Sequence, residues 1–330
     1  ISLALGWVPL GFAQVSPQAD LPTGGQVISG QASISQPDAA SLLINQASQR
    51  AILDWTGFDI GEGFSVHFAQ PDSQSAALNR VNSSTPSVIA GSLTADGHIF
   101  LINPNGIAIT QSGVVDTGGF VASTLDIADA DFLAGRLVFR QSGARGVITN
   151  QGQVSASQGV AFLGSGIINE GVVTARLGRI GYGAGDLITL DFSGDSFLSV
   201  ALPVESLDGV TDAFGRSLSA LITADGVTQA DGGQIVLSAS AAESIMLSAV
   251  QIPGELIART ISEGADGIIR LGSEGDSRTG AFGAPELVDA DFSLTMDGLW
   301  SDPGQNDLSG RFDRVSLRDG LEPLALSRLT

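Results

Sequence analysis

Ile148 to Ala156 reads ITNQGQVSA, and Ile167 to Ala175 reads IINEGVVTA, the same phrase nineteen residues further on. The offset aligns Asn150 with Asn169, Gly152 with Gly171, Val154 with Val173 and Gly164 with Gly183. Nineteen residues are too few for a strand-helix-strand unit, which takes about 30. They suffice for three short strands and three turns, one coil of a parallel β-solenoid. Like then stacks on like one strand spacing apart: Ile, Val and Ala fill the bore, and Asn150 over Asn169 forms an amide ladder at a turn. Glycines supply positive φ at the corners. A second echo pairs LTADG at Leu93–Gly97 with ITADG at Ile222–Gly226. About ten coils at roughly 4.8 Å each would give a rod near 50 Å long.

Outward from this repeat the chain alternates β-prone runs with Gly, Asn and Asp turns. Phe64–Phe68, His98–Ile102 and Ile235–Leu237 are such runs. Ala39 to Leu53 is the best helical candidate, starting after Pro37-Asp38, but its apolar spacing is mixed and the balance lies against a helix. Asp126 to Leu133 can hold a short helical turn. An antiparallel sandwich is the competing architecture. Asp96-Gly97, Asn105-Gly106 and Asp225-Gly226 are hairpin spellings, so antiparallel hairpins are expected to decorate the rod.

Composition agrees. The 330 residues carry 43 Gly, no Cys, and 15 basic against 35 acidic residues, a net charge of −20; every basic residue is Arg. With 43% hydrophobic residues and a mean hydropathy of +0.26, disorder is excluded despite the charge. A pI near 4.1 argues against nucleic acid as a partner. Without Cys there is no disulfide framework, thiolate metal site or cysteine nucleophile. Ile1 to Ala13 (ISLALGWVPLGFA) is too short to span a bilayer and fits the apolar region of a secretory leader, with Gly11 and Ala13 before a cleavage point. The bland alternative is a buried N-terminal strand. Under the leader reading residues 1–13 are its remnant and the protein leaves the cytoplasm.

Residues that could carry chemistry mostly fail. Gly194 to Leu198 (GDSFL) nearly spells a serine esterase block, but no His follows His98 to serve as base. Gly181 to Thr189 (GYGAGDLIT) is one imperfect copy of a calcium-binding nonapeptide that works only in tandem. The pairs Asp129/Asp131 and Asp289/Asp291 would share a face on a strand, as in polysaccharide hydrolases, but solvated acids are the default. His67 and His98 lack a ligand cluster, and Asn82-Ser83-Ser84 is a glycosylation sequon by spelling. No catalytic residue, metal or cofactor is expected.

Leu21 to Leu202 resembles the N-terminal secretion domain of two-partner-secretion exoproteins, the filamentous-haemagglutinin family. Six ordered blocks carry the likeness: LPTGGQVISGQASIS (Leu21–Ser35), INQASQRAILDWTGFDIGEG (Ile44–Gly63), the Gln-Pro and Leu-Asn-Arg-Val groups of FAQPDSQSAALNRV (Phe68–Val81), IFLINPNGIAI (Ile99–Ile109) and GFVASTLDI (Gly119–Ile127). The resemblance implies an all-β, right-handed parallel β-helix (solenoid) with an N-terminal cap and extra antiparallel hairpins. It implies a secretion motif at Asn103, Pro104, Asn105 and Gly106, beside the stacked Asn150 and Asn169. It further implies recognition by an outer-membrane β-barrel transporter through periplasmic domains, and a secreted or cell-surface location. A host or neighbouring-cell surface would be the partner of a downstream passenger. A second Asn-Pro-Asn motif, present in some relatives, is absent. The expected layout is a secretion domain over 14–252 and further coils or the start of a passenger over 253–330. The competing function is a solenoid enzyme acting on polysaccharide, which needs Asp186, Asp191 and Asp195 along one groove with an Arg nearby.

Overall fold

The structure is a computed structural model that describes residues 17, 19–192, 197–240, 248–258, 268–271, 310–311 and 315–316. Residues 1–13, for which a leader is expected, Gly194 to Ser196, Asp289/Asp291 and nearly all of 303–330 lie outside the described residues. What is described is a parallel β-helix of three faces. Strands Ser87–Ile89, Ile107–Ile109, Val147–Asn150, Gly166–Asn169, Ala220–Ala224 and Ser248–Gln251 stack in parallel as the first face. The second begins at Ser41–Gln46 and Ser65–Ala69 and climbs through Ser92–Ala95 to Val172–Thr174, Val227–Gln229 and Glu255–Ile257. The third climbs from Arg50–Trp55 through Ala76–Val81 and His98–Ile102 to Arg179–Ala184, Gln234–Ala239 and Ile268–Leu271. Val114–Ser123 and Gln153–Gly164 each run through both second and third faces, bending at one corner. The third face therefore has eight rungs among the described residues, fewer than ten, because two long insertions leave the helix.

Alternation along the third face feeds two cores. Ile99 and Leu101 point into the bore, while Phe100 and Ile102 point outward into a second cluster. That outer cluster is roofed by a four-stranded antiparallel sheet, Asp126–Ile127, Leu137–Arg140, Leu187–Leu190 and Leu198–Leu202. The expected helical turn sits here, at Asp129–Leu133, with Phe132 buried. Both insertions emerge between the third and first faces, one after Ser123 and one after Ala184. The decorations are antiparallel, yet Asp96-Gly97, Asn105-Gly106 and Asp225-Gly226 do not make them; all three sit at corners joining parallel strands. The start of the helix is closed by Gln26–Ser29, antiparallel to Arg50–Trp55, and by Ala32–Asp38, antiparallel to Ser41–Gln46. Ala39 to Leu53 is thus strand, not helix.

Register corrects three details of the repeat. Asn150 pairs with Asn169 and Val154 with Val173 as expected, but Gly164 pairs with Ala184 and Leu163 with Gly183. The corner Ala175–Gly178 holds one residue more than the corner beneath it, and Leu177 absorbs it at φ +58°. The LTADG echo is not a structural repeat: Leu93 lies on the second face and Ile222 on the first. Finally, positive φ explains the corner glycines only in part: Gly106 and Gly232 adopt it, but one whole column does not. Gly113, Gly152, Gly171, Gly226 and Gly254 form a column with ordinary φ. A Cβ on each of the upper four would collide with the carbonyl oxygen of the glycine below. Those carbonyls accept the N–H of the next rung, Gly113 from Gln153 at 3.0 Å and Gly152 from Val172 at 2.9 Å. Close backbone approach, not left-handed geometry, selects glycine there.

Candidate functional site

The corner from Asn103 to Gly106 connects the third face to the first, at the edge from which both insertions leave one and three rungs higher. It is a β-turn: Gly106 N–H donates to the Asn103 carbonyl at 3.0 Å, with Pro104 at the second position, where its fixed φ suits the bend. Asn103 is fully buried. Its Oδ1 accepts the Asn105 N–H at 3.0 Å, and its Nδ2 donates to the Thr85 carbonyl at 3.0 Å and to Ser87 Oγ at 3.1 Å. Asn105 Nδ2 donates to the Ser83 carbonyl at 2.8 Å. The turn is thereby bound to the rung below. Above it, Gly146 N–H donates to the Pro104 carbonyl at 2.8 Å, and a Cβ at Gly146 would collide with the Asn105–Gly106 peptide. Gly106 adopts φ +116°, which disfavours any side chain. A cleft of about 390 Å³ opens beside the turn, with Asn105, Arg145, Ser206, Asp208 and Thr211 in its walls.

Inside the bore, Asn150 Nδ2 donates to Asn169 Oδ1 at 2.8 Å, and Asn169 Nδ2 reaches Thr228 Oγ1 at 3.3 Å. Tyr182 Oη lies 2.9 Å from the same hydroxyl, and its ring stacks on Phe162 at 5.3 Å. Full burial pushes the Tyr182 phenol well above its ordinary range, so it stays neutral. A second amide pair was not legible in the repeat. Gln70 Nε2 donates to Gln46 Oε1 at 3.1 Å, across a coil of 24 residues rather than nineteen.

The Leu78-Asn79-Arg80-Val81 block distributes its residues by alternation. Leu78 enters the outer core and Val81 the bore. Asn79 Oδ1 accepts the Trp55 indole N–H at 3.0 Å inside the bore. Arg80 faces outward, donates to Asp126 at 3.0 Å, Asp129 at 2.9 Å and the Ile127 carbonyl at 2.9 Å, and pairs with Asp54 at 3.6 Å. The first insertion is thus clamped to the third face. Arg50 adds to the clamp, donating to the Phe132 carbonyl at 2.9 Å.

Among the described residues the candidate catalytic groups are not brought together. Asp129 and Asp131 lie on the helical turn, where residues two apart point to different sides, and each has its own arginine: Arg80 for Asp129, Arg136 for Asp131. Asp186, 9% exposed, is held by the two terminal guanidinium nitrogens of Arg145, so the calcium reading does not find it free; Asp195 of the groove reading lies outside the described residues. Gly181 packs against Phe197 and Leu198, which accounts for the glycines of that stretch without a ligand. His67 Nδ1 meets Thr94 Oγ1 at 2.8 Å and His98 Nε2 meets Gln158 at 3.1 Å. Burial lowers the His98 pKa, keeping the ring neutral. No metal-holding cluster of His and carboxylates occurs among the described residues. Asn82 is exposed.

Comparisons with known proteins converge on the same stretch. The TPS secretion domain family model matches residues 13–278. A heme/hemopexin-binding protein of Haemophilus influenzae is 33% identical over 205 residues, covering 59% of this chain and 22% of that protein. A second Haemophilus influenzae protein of the same description is 39% identical over 108 residues, 33% of this chain and 12% of its own length. The chain therefore spans about a fifth or less of these relatives. Among solved structures, the HMW1 secretion domain from Haemophilus influenzae superposes with a TM-score of 0.63 at 28% identity, over 77% of this chain and 65% of that one.

Proposed function

This chain belongs to the TPS secretion domain family, and from that premise we propose that the Asn103–Gly106 corner is the part of it that makes export possible. As a member it is a secretion domain, recognised by an outer-membrane transporter and exported by two-partner secretion to the cell surface or beyond. The carrying observation is that this one turn binds rung to rung: Asn103 and Asn105 reach down to Ser83, Thr85 and Ser87, and Pro104 reaches up to Gly146. In a fold where each coil buries its apolar face on the last, a turn of this kind nucleates the stack. Coil-by-coil folding outside the cell then draws the remaining chain across.

In this reading the chain crosses the outer membrane unfolded, and periplasmic domains of the transporter recognise an extended segment by adding it to a sheet edge. The module is non-enzymatic, in keeping with the arginine pairing of Asp129, Asp131 and Asp186. Heme or hemopexin binding, for which the Haemophilus relatives are named, would belong to a passenger region. Co-expression with its cognate transporter in a Gram-negative host tests the proposal. Wild-type chain should reach the medium or surface only when the transporter is present, and the Asn103→Ala/Asn105→Ala chain should remain periplasmic. Undiminished export of that double variant would overturn the assignment.

A further inference from the structure

Asn105-Gly106 is the one Asn-Gly step in the sequence. Glycine after asparagine leaves the side-chain carbonyl open to attack by the following amide nitrogen, because no Cβ shields that nitrogen. We propose that Asn105 is a deamidation site open only while the chain is unfolded, and that the product cannot rebuild the corner. In the reaction the deprotonated Gly106 nitrogen bonds to Asn105 Cγ, the Cγ–Nδ2 bond breaks, and ammonia leaves with a five-membered succinimide behind it. Water then opens either ring carbonyl to give aspartate or isoaspartate at 105. No oxidant or reductant is involved.

The fold restrains each reacting group. The Gly106 N–H, which must lose its proton, is held by the Asn103 carbonyl at 3.0 Å. The leaving nitrogen, Asn105 Nδ2, is held by the Ser83 carbonyl at 2.8 Å. Gly146 lies so close over the Asn105–Gly106 peptide that even a Cβ on it would not fit, so the ring has no room to close. The product meets the opposite difficulty. A carboxylate at 105 would face two acceptors, the Ser83 carbonyl and Asn103 Oδ1 at 3.4 Å from the present nitrogen, with no proton to offer either. Isoaspartate would also lengthen the backbone between Pro104 and Gly106, where the contacts to rungs above and below leave no slack. Unfolded chain would therefore lose folding competence with time. Chain that waits unfolded before crossing would then lose the ability to fold outside, and only this consequence rests on the reading of unfolded transit proposed above.

The full chain is held in guanidinium chloride and, in parallel, native, in the same mildly alkaline buffer. Digestion at arginine releases Val81–Arg136, and fragmentation locates any amide-to-acid mass gain. Asn103 is the internal control, since Pro104 has no amide hydrogen and cannot form the ring. Unfolded chain should convert at Asn105 about tenfold faster or more than native chain, whose rate is set by local opening. Equal rates in the two states, or conversion at Asn82 in preference to Asn105, would overturn the site. Aged chain is then refolded and separated into protease-resistant and sensitive fractions. Isoaspartate should collect in the sensitive fraction; an even distribution would overturn the claim about the corner. Neither arm depends on a transporter.

Discussion

Asn150 sits directly beneath Asn169, and its Nδ2 donates to the Asn169 Oδ1 at 2.8 Å in a bore where both residues are fully buried. One amide in such a place requires the other. Asn150→Ala removes the donor to Asn169 and the acceptor for the Gly152 N–H, which lies 3.1 Å away. The expected loss is about 1–3 kcal/mol in urea unfolding, the cost of leaving buried polar groups unmade. Replacing both by Ala should cost less than the two single changes together, since neither amide is then left facing an absent partner, although the Gly152 N–H still loses its acceptor. Additive losses would show that the two amides act independently.

Asn103 carries the greater burden at its own corner. Asn103→Ala abolishes two donated bonds and two accepted bonds at a residue with no exposure. A loss of about 1–3 kcal/mol is expected, and Asn103→Asp should lose nearly as much, because a carboxylate keeps the bond from Asn105 but cannot donate to Thr85. If Asp were as stable as Asn, the downward contacts to Thr85 and Ser87 would not be what holds the turn.

The split between what was legible and what was not follows from how each signal is spaced. Asn150 and Asn169 were readable because the coil between them carries no insertion and a whole phrase, ITNQGQVSA over IINEGVVTA, recurs across it at one offset. Gln46 and Gln70 do the same physical job across a coil of 24 residues, but the residues around them do not repeat, so no phrase announces them. The insertions hide the stack most completely: Ile167 lies beneath Ile222, 55 residues on, with a surface sheet between them in sequence. Asn103 to Gly106 could be read as a turn from Pro and Gly alone. That Thr85 and Ser87 complete it could not, because their contribution depends on the rung below.

Leu177 departs from the economy of the other corners. It holds φ +58° with 62% of its surface exposed, and the equivalent position one rung higher is Gly232 at φ +70°. A left-handed Leu carries roughly 1–2 kcal/mol of strain, and an exposed side chain returns little of it. Against this stands the greater entropy that glycine gives the unfolded chain, about 0.4–1 kcal/mol. Leu177→Gly should therefore raise the urea midpoint slightly, by up to about 1 kcal/mol of stability. A clear loss would mean that the Leu177 side chain makes contacts worth more than its strain.

Glu170 makes the acid limb of stability partly predictable. Burial disfavours its charge, but hydrogen bonds from Arg216 and Gln151 outweigh that and hold its pKa below the ordinary 4.5. A carboxyl lowered in the fold stabilises above its unfolded pKa, and the benefit is lost as pH falls from about 4.5 through the folded value. Because both partners are partly exposed, the contribution is on the order of 0.2–1 kcal/mol. Glu170→Gln should be less stable than wild type at neutral pH, and the two should converge as pH falls below 4.5 and through the folded value. Parallel curves across that window would remove Glu170 from the acid transition.

The absence of cysteine can be tested at the stack itself. Val154 and Val173 are buried register partners on adjacent strands of the second face. Neighbouring strands are about 4.8 Å apart, within the roughly 4.4–6.8 Å that a disulfide spans between Cα atoms. A Val154→Cys/Val173→Cys chain can thus close a loop around one coil of nineteen residues. In the folded rod the bond joins residues already in contact. In the periplasm of an oxidising host it would form before transit and present the transporter with a closed loop in place of a single strand. Export should then fail in oxidising cells and return when the periplasmic oxidase is deleted or reductant is added, with either single-Cys chain exported normally. Passage of chains shown by thiol labelling to be oxidised beforehand would mean that the pore accepts a loop, and that the lack of cysteine has another origin.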